Sequence, residues 1–354
     1  MKRIAFLVLI VWLVAGCGAA PTPTPDLVAT QVAVMAAAAA TLTADAPTPT
    51  PTSVFTPTTA ATATPADTAA PTPTLTPFPT ATRQARATAT PAPPPTGPSL
   101  GRFAVVNVRS DDALNVRAGP GVAYAIAGTI PYYGRDVDVL VGGQEIGDAW
   151  WVPVQYEGVS GWVNSGFLAR QEGSVSDPVA ARAAEAIMAL KDGDMEVLSS
   201  LTHPIKGVRF SPYATVQTGP GGDLVFSASQ VWGLMEDPTV YHWGVYDGSG
   251  KPIDLAFRQY YDEFVYGVEF ARPDVVGFDE TVGQGNSIDN IASAYPNGVM
   301  IEYHFEGFDP GYAGMDWRSL RLVFEEQDGS WYLVGIVHDQ WTIECSGGAS
   351  PRMV

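Results

Sequence analysis

The stretch from about Ala19 to Pro98 is dominated by Pro, Thr and Ala and holds almost no aromatic residues. Such a composition cannot bury enough apolar surface to offset the entropy of ordering a chain, so no core is expected there. The Pro-Thr repeats of Ala46 to Pro98 favour polyproline II. At about 3.1 Å per residue they reach on the order of 160 Å, and Thr/Pro-rich stalks of this kind are compositional candidates for O-glycosylation. One island, Asp26 to Asp45, is Ala-rich and lacks Pro. An isolated helix of that length is marginal in water, which leaves a frayed helix in a tether ahead of a self-association or membrane-surface segment. Stable folding is therefore expected only beyond residue 100.

The chain opens with Lys2 and Arg3, an apolar run from Ile4 to Ala15, then Gly16 and Cys17. A charged start, a short apolar run and small residues at the end are the pattern of a secretory signal. The run falls short of the about 20 residues that a bilayer-spanning helix needs. Leu13-Val14-Ala15-Gly16-Cys17 resembles the lipobox of bacterial lipoproteins. That resemblance implies a signal peptide at 1–16, a lipidated Cys17 opening a disordered linker over 17–100, and attachment to the cell membrane from outside the cytosol. One acyl chain holds a protein only marginally, so two or more are needed. An ordinary signal with an incidental Cys17 is the alternative. A lipidated Cys17 leaves Cys345, the second of the chain's two cysteines, unpaired.

Charge is unevenly spread. Lys2, Arg3, Arg83 and Arg86 against Asp26, Asp45 and Asp67 leave residues 1–100 at +1, so the chain's −18 places −19 on residues 101–354. A strongly acidic folded portion repels phosphate backbones, and nucleic acid is a poor partner for it.

Residues 103–170 read as short strands between Gly-rich turns, as in a small barrel or sandwich. In Leu114-Asn115-Val116-Arg117 apolar and polar residues alternate, giving one packed face and one wet face. Gly119-Pro120-Gly121 supplies a tight reversal. The motifs LNVRAGPG, AGTIPYYG and WWVPVQYEGVSGWVNSGFL, in that order, resemble a bacterial SH3-like domain over 101–170. The loop Gly142 to Asp148 has no evident pairing. The resemblance implies a small all-β barrel that binds cell-wall peptides or other extracellular ligands. Tyr124, Tyr132, Tyr133, Trp150 and Tyr156 are the aromatic candidates for a groove, with Tyr133 and Trp150 chosen as ligand-binding and the others assigned to the core.

After a short linker over 171–176, Asp177-Pro178 marks a helix start, with a stop near Gly193 and Asp194 capping a second short helix. Leu255 to Tyr266 reads as a third helix. Strands are expected at 298–305, 316–326 and 331–343, with a hairpin signal at Glu326 to Gly329. Helices first and an antiparallel sheet last point to an α+β domain over 175–345, helices packed on a curved antiparallel sheet. The element order is similar to the nuclear transport factor 2 fold.

The four histidines, His203, His242, His304 and His338, lie in this second part. His304 and His338 fall on neighbouring strands, and alternation puts Glu302 and His304 on one face. No His-x-x-x-His or His-Glu-x-x-His spacing exists, so no metal and no cofactor are assigned. Gly-x-Ser-x-Gly and Ser-x-x-Lys are also missing from 101–354, and no catalytic residue is assigned. The expectation is a non-enzymatic surface lipoprotein carrying a wall-binding or surface-protein-binding barrel and an α+β binding domain. A cell-wall or glycan hydrolase using His304, His338 and Asp316 is the alternative.

Overall fold

The computed structural model describes residues 93–342. Cys17, Cys345, the leader and most of the Pro/Thr-rich stretch lie outside the described residues.

The barrel begins with β1 (Ser99–Val105), β2 (Ala113–Arg117), β3 (Ile126–Pro131) and β4 (Val137–Leu140). It continues through β5 (Gln144–Ile146), β6 (Ala149–Tyr156) and β7 (Val159–Asn164). After a 3₁₀ turn at Ser165–Phe167 comes β8 (Leu168–Gly173). Alternation decides what is inside. Leu114 and Val116 of β2 are buried, as are Val137 and Val139 of β4 and Val152 and Val154 of β6, and they form one core with Phe103, Ile130 and Val163. The loop over 142–148 does pair: β5 lies antiparallel on β6, with Glu145 opposite Trp150.

The second part opens with α1 (Asp177–Asp192) and α2 (Met195–Leu201). Ser176, one residue before the expected cap, is the N-cap of α1, Pro178 sits in its first turn, and Gly193 ends it in the left-handed conformation. Asp194 caps α2 by accepting from the Val197 N–H at 3.0 Å. There follow β9 (Val208–Ser211), β10 (Leu224–Phe226), α3 (Ala228–Gly233) and a separate hairpin of β11 (Val240–Val245) and β12 (Pro252–Ala256). The expected helix over 255–266 is shorter. It is α4 (Phe257–Tyr260), running into a π turn at Tyr261–Val265. Then come β13 (Val275–Phe278), α5 (Ile291–Ala294), β14 (Val299–Phe305), β15 (Arg318–Gln327) and β16 (Ser330–Gln340). The β15–β16 hairpin turns at Asp328 and Gly329, both at positive φ, as a two-residue turn matched to strand twist requires.

The fold class expected from sequence, a small barrel followed by a separate α+β domain with helices on a curved antiparallel sheet, is corrected. The described residues are mostly β, in one mixed 14-stranded sheet ordered β10-β9-β16-β15-β14-β13-β8-β1-β4-β6-β7-β2-β3, with β5 on β6. Apart from α1, none of the α-helices exceeds seven residues among the described residues. The reason is β8. One edge pairs antiparallel with β1 of the barrel and the other pairs parallel with β13. Gln171 to Gly173, expected as linker, complete this strand. A second parallel pair, β9 on β16, closes the far side. The layered arrangement inferred from the nuclear transport factor 2 likeness goes with that correction.

The large core lies on one face of this sheet. Ile301, Tyr303, Leu320, Leu322, Phe324 and Ile336 meet Val179, Ala183, Ile187 and Leu190 of α1 and the aromatic group of Phe210, Trp243, Phe257 and Tyr260. Trp243 stacks on Tyr260 with centroids 3.8 Å apart. The opposite face is covered by a smaller cluster that includes Val216, Ile291 and Tyr295.

At the seam, buried Gln171 accepts from the Asp136 N–H at 2.7 Å and donates to Asp136 Oδ1 and the Gly173 carbonyl, each at 3.1 Å. Gly173 has φ +66°, and a Cβ there would lie 2.2 Å from the Phe278 carbonyl oxygen. Gly173→Ala is expected to cost at least about 2 kcal/mol, the left-handed penalty plus a backbone clash. Gly158→Ala, at φ +83° but in open space, should cost only about 1 kcal/mol. Urea denaturation of the full chain compares the two; equal losses would contradict the tight seam.

Candidate functional site

Two candidate regions emerge: the exposed end of the barrel, and the face of the large sheet that holds its buried charges.

At the barrel end, the loop over 118–125 leaves β2 and returns as β3. Arg117 fixes it by donating to the carbonyls of Val122, at 3.3 Å, and Tyr124, at 2.9 Å. The Tyr124 ring lies over Gly119, where a Cβ would come within 2.4 Å of it. A Cβ at Gly121 would lie 3.3 Å from Ile146, so the loop tip meets the β5–β6 hairpin. Val122, Ile126 and Ile146 are left 59%, 54% and 45% exposed. Val122 follows Gly121, which approaches Ile146, and exposed aliphatic side chains gathered at one end mark an interaction surface more than scattered ones do.

The two sequence-chosen ring residues take different places. Trp150 is half-buried at the β5–β6 hairpin, packed on the barrel core and against Gly143. Its Nε1 is buried without a hydrogen-bond partner. Tyr133 packs on the core of the second part and meets Tyr132 edge-on at 4.9 Å. Tyr132 donates to Glu185 of α1 at 3.0 Å. Burial, then the nearby Glu185 carboxylate, pushes its phenol up to about 12. Tyr133 therefore belongs to the seam and Trp150 to the exposed end. Val122, Ile126 and Ile146 were not singled out from sequence.

The histidines do not converge. His304 stands opposite Ser319 and His338 opposite Leu320. Ser319 and Leu320 are consecutive in β15, so the two imidazoles point to opposite faces of the sheet. His338 looks into the large core, edge-on to Phe264 at 5.9 Å. Asp316 lies before β15, where one carboxylate oxygen accepts from the Phe308 and Asp309 N–H groups. His203 holds a turn through Nδ1, accepting from Ile205 and Lys206 N–H. His242 pairs with Asp254 at 2.7 Å on the exposed β11–β12 hairpin. Among the described residues no group of three His, Cys, Asp or Glu is placed to hold a metal ion.

As alternation implies, Glu302 and His304 share a face, and Ser319, Arg321 and Asp339 join them there. Arg321, 0% exposed, donates from Nε to Glu302 at 3.1 Å and from Nη2 to the Gly283 carbonyl at 2.7 Å, and Nη2 forms an ion pair with Asp339 at 2.9 Å. Asp289 lies 3.5 Å from its Nη1. Glu302 also accepts from the N–H groups of Val282 and Gly283 and from the Ser319 hydroxyl. His304 Nδ1 lies 2.9 Å from that hydroxyl. The row thus holds the connection between β13 and β14 against the sheet. Glu302, Arg321 and Asp339 are enclosed, and the bonds among them and to the β13–β14 connection suit a structural role, although Arg321 Nη1 and Asp339 Oδ1 are buried without a hydrogen-bond partner. Removing one partner would strand a buried charge, at about 3–5 kcal/mol.

His338 and Asp339 titrate in opposed directions. Burial, followed by the charge of Arg318, pushes His338 down to about 4 from 6.5. Burial, partly offset by Arg321, pushes Asp339 up to about 6 from 3.8. On acidification the unfolded chain protonates His338 first, which removes stability. The folded chain protonates Asp339 first, which adds stability. Each effect is on the order of 3 kcal/mol when complete. His338→Phe should therefore gain on the native chain by about that amount as pH falls from 6.5 to 4, read from urea unfolding at each pH. Parallel curves would contradict the assignment.

Residues 112–169 match the family described as bacterial SH3 domain, a span running from just before β2 into β8. No curated protein matches the chain.

Proposed function

We propose that this chain is a non-catalytic, lipid-anchored surface protein that holds a wall-binding barrel away from the membrane. The observation that carries the reading is the bacterial SH3 domain at 112–169, whose free end exposes Val122, Ile126 and Ile146 beside half-buried Trp150. The ligand class is cell-wall peptide, bound where the loop over 118–125 meets the β5–β6 hairpin. The acidic folded portion favours ligands with free amino groups. The leader ending at Cys17 supplies the anchor, and the Pro/Thr-rich stretch supplies reach. The separation of His304 from His338 removes the geometric support for a hydrolase built on them with Asp316.

The barrel reading is tested by retention of the full chain on purified cell wall. Val122→Asp with Ile146→Asp puts charge on the exposed end without touching the core, and should lower affinity at least about tenfold, or ~1.4 kcal/mol. Unchanged retention would contradict the site. The anchor has a separate test. Cys17→Ala should move the chain from the detergent phase to the aqueous phase on phase partition, and an unchanged distribution would contradict lipidation.

A further inference from the structure

Three side chains from three separate elements meet where the barrel touches the end of α1. Lys191, in the last turn of α1, places Nζ 2.9 Å from Asn107 Oδ1 and 3.0 Å from Glu269 Oε1. Asn107 sits between β1 and β2 at φ +56°, flanked by buried Val106 and Val108. Glu269 comes from the connection between α4 and β13, and the same oxygen accepts from the Tyr266 hydroxyl at 2.7 Å. The side chains of Lys191 and Glu269 are only 26% and 37% exposed. Asn107 borders a narrow apolar cleft with Ile187, Met188 and Tyr133. An amine that touches both a carboxamide and a carboxylate brings together the reactants and the proton carrier of an amide exchange.

We propose that Lys191 and Asn107 form an intramolecular isopeptide bond, with Glu269 moving the protons. Glu269 takes a proton from the Lys191 ammonium, and the neutral amine attacks Cγ of Asn107. That carbon lies one C=O bond, about 1.2 Å, from the contacted oxygen. A C–N bond forms and the carbonyl becomes an oxyanion. A proton from Nζ passes by way of Glu269 to Nδ2, the C–Nδ2 bond breaks, and the oxyanion collapses to the new amide. Nitrogen departs with the remaining proton as ammonium, and Glu269 returns to carboxylate. No oxidant or reductant is involved.

The reaction runs once per molecule and is irreversible once ammonia leaves. Held reactants gain effective concentrations of about 10⁵ M or more when well aligned, so a small reactive fraction suffices. The product would tie the barrel covalently to α1.

Mass spectrometry of the full chain tests the proposal. The expected product is lighter by one ammonia, and trypsin releases a branched peptide in which residues 103–109 are joined through Lys191, with the cut after Lys191 blocked. Lys191→Arg keeps the pairing with Glu269 and should fold, yet neither it nor Asn107→Ala should yield the branched peptide. Glu269→Gln should abolish it or slow its appearance more than tenfold. Normal cleavage after Lys191 at full mass would overturn the proposal. So would ammonia loss without a branch, which marks a cyclic imide at an asparagine instead.

Discussion

Everything in the described structure depends on β8 having two paired edges. The strands β1 to β8 do not form a sheet of their own but one end of the 14-stranded sheet. Phe103 to Val105 take one side of β8 while Val275 to Phe278 take the other. The parallel partner can lie there only because a long excursion through α1, α2, β9 to β12 and α4 separates β8 from β13 in sequence. Parallel neighbours require such a crossover. The backbone groups that would form an edge liability on an isolated barrel are thereby used up. Side chains follow the same seam, since Gln171, Tyr132 and Lys191 each bond across it.

Charge is managed differently at the seam and in the row around Arg321. Across the seam, ion pairs such as Arg135 with Asp177 and Arg109 with Asp192 keep at least one partner in water, and each adds little by itself. In the row around Arg321 both partners are enclosed, so the cost of desolvation is offset only by the number of bonds converging on the guanidinium and on Glu302. Such a row specifies which loop covers the sheet more than it adds net stability. The barrel end shows the reverse pattern, aliphatic groups left in water, and for that reason is the better candidate for recognition.

Much of the local structure was legible because it follows from period and punctuation. The β15–β16 hairpin came from alternation ended by Asp328-Gly329, and α1 from Asp177-Pro178 and Gly193. The shared face of Glu302 and His304 came from strand geometry alone. What escaped has physical causes. Leu168-Ala169-Arg170-Gln171-Glu172-Gly173 carries no alternating pattern that marks a two-sided strand, because its buried polar member, Gln171, is satisfied by Asp136 from far away in sequence. Ile126 and Ile130 of β3 share a parity and should share a face, yet Ile126 is exposed and Ile130 buried. A bulge between Val116 and Arg117 shifts the register between them. The exposed end was therefore hidden from a reading based on rings and alternation. Opposite faces for His304 and His338 needed the inter-strand register, which no single strand contains.

The central claim is that β8 makes the barrel and the large sheet one cooperative unit. Native-state hydrogen exchange on the full chain measures this most directly, because it reads the opening free energy of each strand separately. The account predicts that amides of β1, β6 and β8 open with the same free energy as those of β15 and β16. Barrel amides exchanging through a separate, less costly opening while β15 and β16 stay protected would contradict it.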